Sequence, residues 1–98
     1  MHNDCPTINK IARGHAFEKH VIRKKEFDDL NITTEQEFSD LLHDVMSNPT
    51  HSGQLANGRS YSYDESRNIL IVKDPNHRDL GTAFRPDRGL DYVLNSLR

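Results

Sequence analysis

Two histidines, His15 and His20, stand five positions apart in a cation-rich stretch, GHAFEKHVIRKK at residues 14–25, and the segment GTAFRP follows far downstream at residues 81–86. Imidazole exchanges a proton near neutral pH, so either histidine suits general acid or base work. Lys and Arg place charge and hydrogen-bond donors on a phosphate. A short hydroxyl such as Thr82, if held on a strand, donates to a phosphate oxygen at little entropic cost. Phe84, two residues on, shares Thr82's side of a strand and can stack on a base. Metal-independent RNA cleavage needs such a set: a base for the 2′-OH, an acid for the leaving 5′-oxygen, and cations or donors around the transition state.

Helical geometry restricts how these residues combine. At about 100° per residue, His15, Lys19 and Arg23 fall on one stripe, whereas His20 stands about 140° from His15. Both imidazoles enter one pocket only if the helix begins after His15, and Gly14 supplies a place for that break. In a regular helix one of the two is structural or exposed. Each candidate also has a plain structural alternative: a solvated helix face for the cations, an ordinary strand position for Thr82, a core position for Phe84, and exposed strand ends for Arg59 and Arg85.

Metal and hydrolase chemistries find little support in spacing. The i, i+5 separation of His15 and His20 is not the i, i+4 pairing that brings two imidazoles to one metal, and a single cysteine, Cys5, makes no zinc knuckle. His43, His51 and His77 lie on scattered elements, and no serine stands in a nucleophile-elbow context. No metal or cofactor is expected.

The elements that must position the candidates follow from periodicity. Residues 1–13 read as a tail or linker and a first helical piece carrying Ile8, Ile11 and Ala12, interrupted at Gly14. Ala16, Phe17, Val21 and Ile22 continue at helical spacing to about residue 25 or 27. Thr34 with Glu37 forms a capping box, and Phe38, Leu41, Leu42, Val45 and Met46 trace an amphipathic helix that stops before Pro49. Residues 50–58 are small and polar and read as a loop. RSYSY and NILIVK, with a turn at residues 64–67, predict a β-hairpin. A third extended segment at residues 82–85 precedes Pro86, and Asp87 can cap a final short helix carrying Leu90, Val93, Leu94 and Leu97. The expected class is α+β: N-terminal helices packed on a central antiparallel sheet, with a short C-terminal helix and all the helices on one face of the sheet.

The chain has 98 residues, enough for one domain, and with 34% hydrophobic residues and no Trp its core must rest on few elements. No run approaches the roughly 18 apolar residues of a membrane span, and the N-terminal residues lack the apolar core of a signal peptide. A lone cysteine forms no internal disulfide, so nothing calls for an oxidising compartment. Net charge is −2, which by itself argues against a polyanion partner, but the charges are segregated. Residues 10–25 hold six Lys or Arg and one Glu, whereas residues 26–44 hold seven acids and no Lys or Arg. Such segregation gives one face that can meet a polyanion and one that cannot, with two solvated helix faces as the plain alternative.

The combination of GHAFEKHV, a capped helix ending in NP, NGRSYSYDESRNILIVKDP and GTAFRP resembles the C-terminal ribonuclease toxin domains of bacterial contact-dependent growth-inhibition proteins and related polymorphic toxins. The resemblance covers residues 14–98. It implies a barnase/colicin D/RelE-like or ribonuclease A-like fold without disulfides, and cleavage of RNA, with tRNA the expected species. His15 and His20 match the helix histidine pair, and Thr82 matches the hydroxyl of the final strand. Phe84 stands where some relatives have Tyr, so an acid must come from elsewhere, with His20, Lys19 and Arg85 as candidates. The resemblance further implies a cognate immunity protein as partner, delivery from a secreted or cell-surface parent protein, and action in the target-cell cytoplasm, with a host activating factor as a further partner to test.

The sequence thus leads to a metal-independent toxin endoribonuclease that leaves a 2′,3′-cyclic phosphate. His15 is the first choice of base, His20 is the second histidine and the one of the two better suited to a structural role, Arg59, Arg85 and Thr82 act on the phosphate, and Lys19, Arg23, Lys24 and Phe84 bind substrate. A non-enzymatic nucleic-acid-binding module and a protein-interaction domain using the acidic helix remain as alternatives; the first predicts salt-sensitive binding without product.

Overall fold

A computed structural model of the chain describes residues 5–95; residues 1–4 of the expected tail and Leu97 of the expected final helix lie outside them. Helix α1 (Cys5–Arg13) leads through Gly14 into a π-helical segment (Phe17–Arg23), a short turn (Asp28–Leu30) and helix α2 (Glu35–Ser47). Strands β1 (His51–Gln54), β2 (Ser60–Asp64), β3 (Ile69–Lys73) and β4 (Gly81–Phe84) follow, then helix α3 (Leu90–Asn95). The strands form one antiparallel sheet in the order β1-β2-β3-β4. The protein is of the α+β class, with a short C-terminal helix.

Helix α2 forms for the local reasons its sequence carries. The Thr34 hydroxyl accepts from the Glu37 N–H at 3.1 Å, and Glu37 Oε1 accepts in return from the N–H groups of Thr33 and Thr34. The Thr33 N–H, followed by the Thr33 and Thr34 hydroxyls and the Thr34 N–H, holds the Glu37 carboxyl below the usual range against some desolvation. Phe38, Leu42 and Val45 are fully buried, and the helix stops two residues before Pro49.

The larger part of the core lies between the N-terminal helices and one face of the sheet. Ile8, Ile11 and Ala12 of α1, then Val21 and Phe27, pack with Phe38, Leu42 and Val45 against Ile69, Ile71 and Ala83. All three α1 side chains are fully buried, so the core begins upstream of residue 14. The opposite sheet face carries Tyr63, Leu70 and Val72, with Val93 of α3 buried against them. Helices therefore cover both faces, which corrects the expectation of one. The alternation of β3 explains it: its apolar run fills both faces, and the second needs its own cover.

Two local features were not legible. Residues 51–54, expected as loop, form β1 through pairing with β2, His51 opposite Tyr63 and Gly53 opposite Tyr61. HSGQ has no apolar alternation, so the neighbouring strand supplies the order. At the start of β4, Gly81 has φ 139°, and a Cβ there would lie 2.1 Å from the Val72 carbonyl oxygen. The glycine of GTAFRP is thus fixed by close backbone approach. Among the described residues no helix is long and apolar enough to cross a membrane.

Candidate active site

The wide helical turn after Gly14 governs the site. Residues 17–23 are π-helical, the Lys24 N–H reaches the Lys19 carbonyl at 3.0 Å, and Lys25 then turns left-handed with φ 54°. This reversal returns the Glu26 N–H to the His20 carbonyl at 2.9 Å. As a result the Glu26 carboxylate meets the His20 ring: Glu26 Oε2 contacts His20 Nδ1, with the two side chains only 19% and 9% exposed. Nδ1 is thereby engaged, and His20 Nε2 has no hydrogen-bond partner among the described residues. π-helical turns are uncommon and concentrate at functional sites.

Strand β4 completes the pair from the other side. Phe84 stacks on the His20 ring at 5.6 Å with 26° between planes, and Tyr92 of α3 meets Phe84 edge-on at 5.8 Å and 80°. The Arg85 N–H donates to Glu26 Oε1 at 3.1 Å, and Arg85 Nη1 donates to the Glu26 carbonyl at 3.0 Å and to Asp29 Oδ1 at 2.5 Å. The guanidinium also lies 5.9 Å over the Phe27 ring. Glu26 is therefore held at both oxygens, which fixes the orientation of the imidazole. Together His20, Glu26 and Phe84 border an open cleft of about 550 Å³ whose other walls are Lys24, Arg85, Pro86, Asp87, Arg88 and Tyr92.

The structure gathers some of the expected residues and separates others. His20, Lys24, Phe84 and Arg85 line this cleft; His15, Arg59 and Thr82 do not. His15 is exposed on a neighbouring shelf with Glu18, Lys19, Arg23 and Lys24, its Nε2 against the Arg78 guanidinium. Its backbone N–H donates to Asp79 Oδ2 at 3.0 Å, and that bond, against slight desolvation, holds the Asp79 carboxyl below its usual range. The two histidines diverge even though the helix is not regular. Arg59 precedes β2 and donates from Nε to the Ala56 carbonyl at 3.1 Å. Thr82 pairs with Val72 across β3 and β4, on the same sheet face as Phe84 and two residues short of it. The Phe84 ring, expected as a platform for a base, packs against His20. Arg85 has its Nη1 committed to the 26–29 turn.

Glu26, Arg88 and Tyr92 escaped the sequence reading. Glu26 was counted with the acidic segment, because charge bookkeeping ignores a reversal at Lys25 that no glycine announces. An acid placed directly after the end of a histidine-bearing helix is the signal that could have raised it. Nothing in the sequence joins Arg88 or Tyr92 to His20, since they meet only as walls of one cleft, Tyr92 through Phe84. Among the described residues, no three His, Cys, Asp or Glu side chains converge as metal ligands would. No protein-family model matches the chain, and no curated protein matches it.

Proposed function

We propose that the protein is a metal-independent endoribonuclease, with tRNA as its expected substrate, whose base is His20 and not His15. The observation that carries this reading is the part-buried His20–Glu26 pair opening on a cleft walled by Lys24, Arg85 and Arg88. In this mechanism His20 Nε2 takes the 2′-OH proton as the 2′-oxygen attacks phosphorus. The bond from phosphorus to the 5′-oxygen then breaks, leaving a 2′,3′-cyclic phosphate and a 5′-hydroxyl. Glu26 keeps Nδ1 protonated and stabilises the imidazolium that forms. Lys24 and Arg88 act on the phosphorane charge, while Arg85 works by holding Glu26. Among the described residues lining the cleft Tyr92 has the only hydroxyl, and we assign it the proton given to the leaving oxygen. Phe84 keeps the imidazole in place.

The same reading gives the protein a cognate immunity protein that blocks the cleft with acidic groups mimicking phosphates. It also makes the chain the active part of a delivered toxin acting in the target-cell cytoplasm. Incubation of the purified protein with total bacterial RNA in EDTA tests the chemistry. Cleavage to fragments ending in a cyclic phosphate is expected; intact RNA, or cleavage only on addition of a divalent metal, overturns it.

A further inference from the structure

Beside the cleft lies a second depression of about 490 Å³, lined by His15, Glu18, Lys19, Arg23 and Lys24. Lys24 borders both, so the two form one continuous surface. All five residues are exposed, and Arg78 stands against His15 at the rim. Three lysine or arginine side chains face one acid, Glu18. That acid is paired with Arg23 at 2.8 Å, but the two side chains are 57% and 71% exposed. An ion pair so exposed is weak and exchanges readily for another anion. Among the described residues the shelf has no Phe, Tyr or Trp, whereas the cleft has Phe84 and Tyr92. Its chemistry therefore fits phosphates and not bases.

We infer that this shelf is a second phosphate-binding site, holding the single-stranded RNA that flanks the bond cleaved in the cleft, and that Glu18 restrains it by competing for Arg23. The inference rests on the ribonuclease reading for the identity of its ligand. It gives the protein a preference for RNA long enough to reach from Lys24 to Lys19 and Arg23, without base preference along that stretch. Release of Arg23 from Glu18 accompanies binding.

Fluorescence anisotropy with 2′-O-methyl oligonucleotides, which lack the attacking hydroxyl, tests this on the whole chain. A trinucleotide and a dodecanucleotide of the same sequence are titrated against the wild type, a Lys19→Gln/Arg23→Gln double variant, and Glu18→Gln. The double variant is expected to bind the dodecanucleotide about 10-fold more weakly and the trinucleotide within about twofold, with the salt slope for the longer strand reduced by about 1.4. Glu18→Gln is expected to tighten the longer strand about threefold. Equal losses on both lengths, or no loss on the longer strand, overturn the shelf; the latter would leave these cations to a protein partner. Cleavage of the unmodified dodecanucleotide by the wild type is scored in parallel. An absence of cleavage with length-dependent binding intact removes the catalytic reading alone.

Discussion

The backbone N–H of Arg85 donates to Glu26 Oε1 at 3.1 Å across 59 positions of sequence, and the other oxygen of that carboxylate meets His20 Nδ1. One acid thus joins the end of the edge strand β4 to the buried histidine of the π-helical segment. All three residues of this junction line the cleft, and the order of events along the chain is local. The wide turn ends, Lys25 reverses the backbone, and Glu26 arrives beside the ring that needs it.

Glu26→Gln keeps an acceptor for the Arg85 N–H but removes the charge that stabilises the imidazolium. A fall in kcat of about 10²-fold or more is expected, with KM within about threefold of wild type, in steady-state cleavage of a fluorogenic RNA. Equal losses in kcat and in thermal stability would mean that Glu26 serves only the fold.

Tyr92→Phe retains the ring that packs edge-on against Phe84 and deletes the only hydroxyl among the described lining residues. Turnover of an RNA with its natural 5′-oxygen leaving group is expected to fall about 10²-fold. A substrate whose leaving group needs no proton, such as a p-nitrophenyl phosphodiester of a ribonucleoside, should be affected less than about threefold. Similar losses on both substrates would contradict the assigned proton transfer.

The Asn68 side chain ties the loop carrying Arg88 to the hairpin. Tyr63 donates its phenol to Asn68 Oδ1 at 2.6 Å, and Asn68 Nδ2 donates to the Pro86 carbonyl at 2.9 Å. Burial, and then the nearby Glu65 and Asp64 charges, push the Tyr63 phenol up, so it remains a donor. Asn68→Asp preserves the acceptor and tolerates the left-handed φ of 56° there, but removes the bond to Pro86. Stability should drop by about 1–2 kcal/mol in urea titration, and KM should rise several-fold with kcat little changed. A stability loss with unchanged KM would place Asn68 in the fold alone.

Much of this architecture was legible, for reasons that differ by element. The capping box at Thr34 and the apolar run of β3 are local signals, and both elements form where the sequence places them. β1 was missed because Ser, Gly and Gln carry no strand pattern and only β2 orders them. The wide turn at residues 17–23 has no composition signal, and it buries His20 while leaving Ile22 49% exposed, the reverse of what apolar spacing suggests. The site was half legible. His20, Lys24, Phe84 and Arg85 were singled out by type, but Glu26 was assigned to the wrong surface, and long-range contacts such as that with Arg85 leave no trace in spacing.

Asp64 gives a prediction in pH. Burial alone would raise its carboxyl, but hydrogen bonds from Arg67 Nε at 2.5 Å and the Ser66 hydroxyl at 2.8 Å outweigh it and hold the carboxyl below the usual range. A depressed carboxyl contributes stability that is complete above the unfolded value of about 4 and is lost as pH falls through the folded value. Asp64→Asn should therefore cost about 1–3 kcal/mol at neutral pH. The difference from wild type should shrink steadily below pH of about 4. A difference constant down to the acid limit would show that the charge plays no part.

The most direct test of the account compares His20→Ala with His15→Ala on tRNA in EDTA, with circular dichroism melts confirming that each variant folds. His20→Ala is expected to lose cleavage by about 10³-fold or more while His15→Ala keeps it within about tenfold, as a shelf residue should. Cleavage lost in His15→Ala and retained in a folded His20→Ala would contradict it and return the base to the exposed histidine.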